Sequence, residues 1–454
     1  MTDLLKQNVT FIPTSEYICK NKVIDEFISY THSKRNAKME FAPYEKFKDV
    51  EFITEGGFSK IYKATWIDGP RDWSAPPPYR SGEMTVALKE LSNSSNISSK
   101  ELNELMIFYN YATNYNSKNV YTCHNHFNYI NKYFGITQHS STQNFMIITK
   151  YYESGDLRNH ITNEFYNISW FKKLIKLQCI VNGLNNMHDA NIIHRDYHSG
   201  NILVATGETP IISDLGISKS AIEPLDDEDN EIYGIIPYVA PEVLQGRKYT
   251  KASDIYSFGM IMWELMTGRR PFWDKSHDTD LIIQICDGLR PPIITNAPEG
   301  YIELMKECWH LDPNERPTAS NLLQKVKTIF YNEIKNIINK NPTKIMESPN
   351  IGPVTTNNPG AIYKSRPLSE MIKSALSTIS LKSQNITQNI TSKIGKRKIN
   401  DLDENDKIIK KIKLVDNNEN NDYITIALKF DIDTNYYART PDLTTVLKPF
   451  PSVL

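Results

Sequence analysis

Lys89 is the first residue whose position points to chemistry, because it ends the apolar segment Val86–Leu88. An ammonium group half-buried at the end of a strand is costly without an anionic partner, and the α- and β-phosphates of a nucleotide are suitable partners. Glu104 lies fifteen residues further on, in a predicted helix over 100–111 that could carry its carboxylate to Lys89. Glu101, one turn away, competes for this role, and a solvated helix face is the alternative for both glutamates.

A second candidate phosphate-binding element precedes the lysine. Residues Ile53–Tyr62 follow a strand–turn–strand pattern and place Gly56 and Gly57 where a backbone could approach a phosphate closely. Taken alone, the pattern is better explained by an ordinary hairpin turn. The half-buried lysine that follows favours phosphate binding.

Further polar motifs stand in a fixed order in the second half of the chain. His194–Asn201 (HRDYHSGN) is followed by Ile211–Gly216 (IISDLG) and by Ala240–Glu242 (APE). Together with the Gly-rich loop, the strand lysine and the helix glutamate, this order resembles that of the eukaryotic protein kinases. The resemblance covers about residues 47–332.

The resemblance implies a phosphoryl-transfer site that uses ATP and Mg²⁺. Asp196 should accept or orient the proton of the substrate hydroxyl. Asn201 and Asp214 should bind two Mg²⁺ ions that bridge the phosphates. Lys89, held by Glu104, should fix the nucleotide. Each of these residues alone could be a cap or turn residue, but their joint order points to a kinase.

A nucleotide pocket between two lobes is also implied. Ile61, Ala87 and Leu203 should enclose the adenine, and segment 147–152 should form the interlobe hinge, with the small Thr149 leaving a back pocket accessible. The complete set of implied nucleotide-binding residues is Ile53, Gly56, Phe58, Ser59, Ile61, Ala87, Lys89, Glu104, Thr149, Lys150, Tyr152, Asp156 and Leu203.

Other matching positions concern architecture. Asp254 should brace the catalytic loop, and Glu242 should form a buried ion pair with Arg316. An apolar stack that joins the lobes should contain Phe108, His194 and Leu215.

The Gly-rich loop departs from the family pattern. Thr54 and Ser59 stand where the family usually has its first and third glycines, and only Gly56 is retained. A Cβ atom restricts backbone freedom without removing a hydrogen-bond donor, so we expect a moderate loss of nucleotide affinity.

The signals for substrate specificity are mixed. His198 stands where serine/threonine kinases usually have lysine, and Gly200 stands where tyrosine kinases usually have arginine. Residues 234–242 resemble the serine/threonine form of the substrate-facing loop, although Ile235 replaces its threonine. Segments 253–268 and 308–317 resemble the tyrosine-kinase-like group of serine/threonine kinases. We expect serine/threonine specificity, with dual or tyrosine specificity as the alternative.

An acidic run, Asp226–Glu231, lies in the activation segment. We hypothesise that it partly replaces a phosphate as the partner of Arg195 and gives some constitutive activity. A solvated loop is the alternative, because charge runs are usually solvated.

The composition is that of a globular protein without a strong overall charge. The 454 residues include 52 basic and 53 acidic ones, so we expect no binding to nucleic acid or anionic membranes through net charge. No stretch reaches the roughly 18 uncharged apolar residues that a spanning helix needs. Five widely spaced cysteines without a CxxC pair argue against disulfides and a zinc site, and we expect a cytoplasmic protein with reduced thiols.

The elements that must position the site fall into two groups. Residues 47–150 have mostly strand patterns with one helix, and residues 156–335 are mostly helical, as in Trp170–Asp189, where apolar residues recur at helical spacing. We therefore predict an α+β, two-lobed protein kinase fold with a small β-rich lobe and a larger helical lobe. The Pro-rich insertion Asp68–Ser81 should be an exposed loop.

The kinase domain is predicted over 47–332, between two extensions. The N-terminal extension, 1–46, contains a weak helical signal and either docks on the small lobe or leads into it. The tail, 333–454, is polar, and its segment 340–400 is too poor in apolar residues to offset its ordering entropy, so we expect a largely disordered tail.

Three tail segments have patterns of their own. Basic clusters at 396–398 and 410–413 have the spacing of a two-part nuclear import signal, and residues 424–432 alternate like a half-buried strand that needs a partner sheet. A helix that could form on a protein partner is indicated by the helical spacing of Leu368, Met371, Ile372, Ala375, Leu376 and Ile379.

Three functions compete. An active ATP-dependent protein kinase acting on protein substrates in intracellular signalling is favoured by Lys89, Asp196, Asn201 and Asp214, which a module without catalysis has no chemical need to keep. A catalytically weak, kinase-like scaffold is favoured by the missing glycines and the long tail. A small-molecule phosphotransferase conflicts with the substrate-facing loop.

Overall fold

The computed structural model describes residues 19, 21–33, 37–57, 59–75, 77–98, 101–118, 129–221 and 231–381. All of them belong to the first of two structural units of the chain, residues 1–390. The basic clusters and the alternating segment of the tail lie outside the described residues.

The small lobe contains a twisted sheet. Its strands are β1 (Glu40–Phe41), β2 (Phe47–Glu55), β3 (Ser59–Trp66), β4 (Arg71–Asp72), β5 (Tyr79–Arg80), β6 (Met84–Leu91), β7 (Tyr133–Gln138) and β8 (Phe145–Lys150). Six of them form one sheet in the order β1-β7-β8-β6-β3-β2, in which only the β1–β7 pair is parallel. The pair β4–β5 lies in the insertion predicted as an exposed loop, which is instead tied down by an ion pair of 2.7 Å from Arg80 to Glu40.

Strand β6 shows why the sheet presents a lysine to the interlobe cleft. Its residues alternate between buried and half-buried along the strand, as the two-residue period of a strand requires. Val86 and Leu88 are buried in the core of the small lobe together with Trp66. Ala87 and Lys89 therefore lie on the opposite face of the sheet.

The N-terminal extension docks on the small lobe. Helix α1 (Lys22–Thr31) begins at Asn21, whose side-chain oxygen accepts two backbone N–H groups of the first turn. The Tyr30 ring lies 5.1 Å from the ring of Tyr109 in helix α2 (Asn103–Lys118). The described part of this extension therefore both packs on the small lobe and, through β1, joins its sheet.

The large lobe is mostly helical, as predicted. Its helices are α3 (Leu157–Glu164), α4 (Trp170–Asp189), α5 (Pro241–Leu244), α6 (Lys251–Thr267), α7 (Thr279–Cys286), α8 (Tyr301–Cys308) and α9 (Ala319–Ile338). Its short strands are β9 (Ile192–Ile193), β10 (Ile202–Val204), β11 (Pro210–Ile212), β12 (Lys219–Ser220) and β13 (Tyr233–Gly234). Strand β9 pairs with β12, and β10 pairs with β11.

Helix α6 is the centre of the large lobe. All its residues from Ser253 to Thr267 are buried, and a helix that is buried all round must lie inside a core. It begins with a capping box between Thr250 and Ser253 and ends at Gly268, whose φ of 73° lies in the left-handed region that favours glycine. No helix in the described ranges is both long and apolar enough to span a membrane.

The first part of the tail is ordered, so the expectation of disorder between 340 and 400 is wrong for residues 341–381. Strand β14 (Arg366–Pro367) pairs with β13, and residues 369–381 form helix α10. Leu368, Ile372 and Ala375 are fully buried against the large lobe. The predicted tail helix therefore forms, but its partner is the chain's own lobe, because its apolar stripe is sufficient to offset the entropy of ordering.

Candidate active site

Lys89 reaches from β6 into the cleft and binds two carboxylates. Its Nζ donates to Glu104 Oε2 at 2.7 Å and to Asp214 Oδ1 at 2.6 Å. Glu104 lies in the first turn of α2, and its other oxygen accepts from the hydroxyl of Tyr133 at 2.8 Å. Burial favours the neutral amine, but the charges of Asp214 and Glu104 outweigh it and raise the pKa of Lys89. Lys89 is therefore a cation in a fixed position.

The competing glutamate, Glu101, has local partners. Its Oε2 accepts from the backbone N–H of Ser98 at 2.7 Å and from the Ser98 hydroxyl at 2.6 Å. It thus caps the turn before α2, while Glu104 pairs with the lysine. The tertiary packing of α2 decides between the two.

The loop after β9 brings Asp196 and Asn201 together. Asn201 Nδ2 donates to the Asp196 carbonyl at 2.9 Å and lies 3.4 Å from Asp196 Oδ2. His198 Nε2 lies 3.5 Å from Asp196 Oδ1, and His198 Nδ1 accepts the N–H of Gly200 at 3.1 Å. An imidazole N–H therefore stands beside the predicted acceptor of the substrate proton, where the family usually has an ammonium group.

Asp254 of α6 fixes the backbone of this loop, as the resemblance implied. Its carboxylate accepts the N–H groups of His194 at 2.9 Å and Arg195 at 3.0 Å, and its Oδ2 lies 3.0 Å from His188 Nε2. Arg195 has a φ of 72°, which is unfavourable for a residue with a Cβ atom. The buried carboxylate stabilises this strained conformation.

The two predicted metal ligands lie on neighbouring elements. The N–H of Ser213 donates to the carbonyl of Asn201 at 2.8 Å, which places Asn201 beside the residue before Asp214. An amide oxygen and a carboxylate are hard ligands that fit Mg²⁺. The described part of the chain contains no group of three or more His, Cys, Asp or Glu side chains that could hold a metal. An ion at Asn201 and Asp214 would complete its shell with phosphate and water oxygens.

The strand register places the implied adenine-binding residues on one face. Ile61 lies directly opposite Lys89, and Ala87 lies directly opposite Thr149, so all four share the cleft face of the sheet. Leu203 approaches from the large lobe, where its strand bridges to Asp156.

The hinge follows β8. The ammonium group of Lys150 lies 5.5 Å from the ring of Tyr152, and Asp156 caps α3 by accepting the N–H of Asn159 at 2.8 Å. Burial raises the pKa of Tyr152 to about 12, so its hydroxyl stays neutral. The interlobe connection is thus ordered up to the first helix of the large lobe.

The Gly-rich loop tolerates its two replaced glycines. Thr54 and Ser59 are paired in strands, and neither has a positive φ. Gly56 closes the turn by donating its N–H to the Ser59 carbonyl at 2.8 Å. Of the remaining predicted residues, Ile53 is exposed, and Phe58 lies outside the described residues. The backbone here does not require glycine at the replaced positions.

Glu242 and Arg316 form the predicted buried ion pair. Arg316 Nη1 and Nη2 donate to the two carboxylate oxygens at 2.8 and 2.7 Å, and both side chains are nearly inaccessible to solvent. Arg316 also donates to the carbonyls of His310 and Ala252. This contact ties α5 to the segment before α9.

The three residues predicted for the apolar stack between the lobes are all buried, and Phe108 and Leu215 belong to one apolar cluster. The Phe108 ring packs 4.8 Å from that of Tyr133, Leu215 is fully buried, and His194 Nε2 lies 3.1 Å from the Ser213 carbonyl.

The hypothesis about the acidic run stays a prediction, because Asp226–Asn230 lie outside the described residues. The guanidinium group of Arg195, its suggested partner, lies 5.7 Å from the centre of the Tyr249 ring.

Sequence reasoning missed Glu264, a buried carboxylate beneath the catalytic loop. It accepts from the hydroxyls of Tyr238 at 2.6 Å and Ser199 at 2.7 Å. Burial raises its pKa to about 7, although both hydrogen bonds act in the opposite direction. A glutamate inside the apolar pattern of α6 was the available signal.

Comparison with known proteins identifies the family of the chain. The family model described as protein tyrosine and serine/threonine kinase matches residues 47–326. A protein of Acanthamoeba polyphaga mimivirus named as a serine/threonine-protein kinase/receptor is 34% identical over 38% of this chain and 11% of its own length. Ephrin type-A receptor 7 of Gallus gallus is 37% identical over 32% of this chain and 15% of the receptor. A Dictyostelium discoideum protein named as a serine/threonine-protein kinase is 35% identical over 32% of this chain and 9% of its own length.

The chain belongs to the protein tyrosine and serine/threonine kinase family. Its fold is the two-lobed protein kinase fold that the sequence predicted, and the resemblance to the tyrosine-kinase-like group is consistent with relatives of both kinds. The matched segments span less than a fifth of the three relatives named above.

Proposed function

We propose that the chain is an ATP-dependent protein kinase that transfers the γ-phosphoryl group of ATP to serine and threonine hydroxyls of protein substrates. The observation that carries the proposal is Lys89, whose Nζ lies 2.7 Å from Glu104 and 2.6 Å from Asp214. A kinase-shaped scaffold has no chemical need for a buried lysine between two carboxylates beside an intact Asp196 and Asn201.

Each residue contributes positioning or charge to the transfer. Lys89 would hold the α- and β-phosphates, and Asp196 would orient the substrate hydroxyl and take up its proton as the new oxygen–phosphorus bond forms and ADP leaves. The His198 imidazole is placed to stabilise charge near Asp196. Mg²⁺, when held by Asn201 and Asp214, supplies neutralisation of the phosphate charge.

Serine/threonine specificity is supported by residues 234–242, which resemble the serine/threonine form of the substrate-facing loop, and by Gly200 in place of the arginine usual in tyrosine kinases. The names of the relatives include both kinds of kinase. Intracellular signalling in the cytoplasm is part of the same proposal. The cysteines in the described ranges are free thiols, which a reducing compartment maintains.

The test is incubation of the purified chain with labelled ATP, Mg²⁺ and a generic basic protein, followed by phosphoamino-acid analysis. We expect label on serine or threonine, and none with the Asp214→Asn variant. Label on tyrosine as well would make the enzyme dual-specific. Binding of ATP without any transfer would favour the scaffold.

A further inference from the structure

The tail between α9 and α10 is held on the large lobe by hydrogen bonds to His277. The N–H of His277 donates to the Gly360 carbonyl at 2.8 Å, and its Nδ1 lies 2.9 Å from the Ile362 carbonyl. Arg366 Nη2 donates to the His277 carbonyl at 2.6 Å. These contacts use the backbone N–H, the backbone carbonyl and the ring of one buried histidine, so they fix the path of residues 360–366.

The same segment adds a strand to the activation segment. Arg366 lies opposite Gly234 and Pro367 opposite Tyr233, in antiparallel register. The N–H of Leu368 donates to the Ile232 carbonyl at 2.7 Å. An extended peptide that pairs with an exposed strand is a general mode of peptide recognition. The strand that it uses here leads directly into the substrate-facing loop, residues 234–242.

Ser365 lies against the Gly-rich loop. A Cβ atom added to Gly57 would lie only 2.5 Å from the Ser365 carbonyl oxygen, so the two backbones are in close contact. The Ser365 hydroxyl oxygen is buried and makes no hydrogen bond to any residue in the described ranges. Ser365 thus touches the loop predicted to cover the phosphates, and its neighbour Arg366 pairs with the strand that leads into the loop predicted to receive the substrate.

Tyr363 occupies the wall of the cleft beside the catalytic loop. Its ring lies 4.1 Å from the guanidinium carbon of Arg270 and 4.7 Å from the ring of His277, and its hydroxyl donates to the Pro271 carbonyl at 2.9 Å. It lines one cavity together with His198 and Gly200, among other residues. The segment thus shares a cavity with the catalytic loop, touches the Gly-rich loop and pairs with the activation segment.

We propose that residues 363–368 are a substrate segment held in the enzyme's own peptide-binding groove, with Ser365 as the acceptor of an intramolecular phosphorylation. The proposal rests on the kinase activity proposed above. The Ser365 hydroxyl oxygen would form a bond to the γ-phosphorus of ATP, the bond from that phosphorus to the β,γ-bridging oxygen would break, and ADP would leave. The hydroxyl proton would pass to the carboxylate of Asp196.

Helix α10 explains why the reaction is intramolecular. Leu368, Ile372 and Ala375 anchor the segment in the large lobe, so the local concentration of Ser365 at the cleft is set by a tether and not by the concentration of enzyme. The same anchor makes the segment a competitor of external substrates. Sequences similar to 363–368, with an aromatic residue two positions before the serine and leucine three positions after it, are the substrate class that this groove fits.

The first experiment measures phosphate on Ser365 by mass spectrometry. The full chain, prepared without phosphate by phosphatase treatment, is incubated with ATP and Mg²⁺ at a series of enzyme concentrations, together with a generic basic protein. We expect a rate constant for Ser365 that does not change with enzyme concentration. Ser365→Ala should remove this phosphate, and Ser377→Ala, which changes an exposed serine on α10, should leave it unchanged.

Two outcomes overturn the inference alone: Ser365 without phosphate while the basic protein is labelled, or a rate constant that rises in proportion to enzyme concentration. Failure to label both Ser365 and the basic protein overturns the proposed function and the inference with it.

A second experiment tests occupancy of the groove. Leu368→Ala combined with Ile372→Ala loosens the anchor, and Arg366→Ala removes the contact with His277 without altering the core. If the segment fills the groove in nine molecules of ten, each of these two variants should lower the KM for a synthetic peptide of residues 360–370 by up to about tenfold. The KM for ATP should stay unchanged, which checks that the fold is intact. An unchanged peptide KM in both variants contradicts occupancy.

Discussion

Replacement of Glu104 by glutamine tests the geometry of the lysine site most directly. Glu104→Gln keeps the size of the side chain and removes the charge that holds Lys89 Nζ at 2.7 Å. Its amide oxygen can still accept from Tyr133. Asp214 also contacts Lys89, but in the proposed reaction its carboxylate would also bind Mg²⁺ and would hold the lysine less tightly. Glu104 must then hold the lysine.

The expected loss follows from the nature of this contact. A hydrogen bond between charged groups contributes about 1.5–3 kcal/mol, and both side chains here are largely buried. Because each 1.36 kcal/mol is a factor of ten, we expect kcat/KM for ATP to fall about 10- to 150-fold. The assay is the initial rate of phosphorylation of a generic basic protein at increasing ATP concentrations.

Glu101→Gln is the matched control, because it changes the same residue type one turn away. Glu101 contacts Ser98 at the start of the helix, so its replacement should change kcat/KM by no more than about twofold. Equal losses for Glu101→Gln and Glu104→Gln would refute this reasoning, as would an unchanged rate for Glu104→Gln.

Three further predictions concern buried charges. Arg316→Met leaves Glu242 buried without its partner and should lower the free energy of unfolding by about 3–5 kcal/mol, measured by urea denaturation, whereas Arg316→Met with Glu242→Met should recover most of the loss. Glu264 has a folded-state pKa of about 7, above the ordinary value of 4.5, so its stabilising protonation is lost as the pH rises from 4.5 to 7. The free energy of unfolding of Glu264→Gln, measured by urea denaturation, should therefore rise relative to that of the wild type by up to about 3 kcal/mol between pH 4.5 and pH 8. A difference between the two proteins that does not change with pH would contradict this. Burial lowers the pKa of Lys173 from 10.5 to about 7, so the cost of its charge is complete below pH 7 and disappears towards pH 10.5. At pH 7, where the folded-state group is half titrated, this cost is about 4 kcal/mol, and the Phe165 ring returns up to about 2 kcal/mol, so Lys173→Met should stabilise the protein by about 2 kcal/mol in thermal or urea unfolding at pH 7 and by little near pH 10.5.

The residues of the candidate site were predictable because its motifs are local. His194–Asn201 and Ile211–Gly216 are short contiguous segments, so the residue types and their order already identify the residues that meet in the cleft. The strand position of Lys89 follows in the same way from the two-residue period of β6.

Contacts between distant segments were not predictable in this way. Glu101 and Glu104 are equivalent in the sequence, and only the packing of α2 turns Glu104 towards Lys89. Glu264 has the sequence context of a core residue, and its two hydroxyl partners come from elements far along the chain.

The sequence by itself determined the two-lobed fold, the order of the motifs and the residues of the candidate site, because strand and helix periods and short loops depend on neighbouring residues. The tertiary structure decided where the tail lies. A polar composition predicted disorder for residues 340–400, but a few apolar residues at helical spacing, Leu368 and Ile372 among them, find a complementary surface on the large lobe. Burial of those side chains offsets the entropy of ordering the segment, and this balance depends on the shape of a surface made by distant parts of the chain. That surface places Ser365 against Gly57 of the Gly-rich loop.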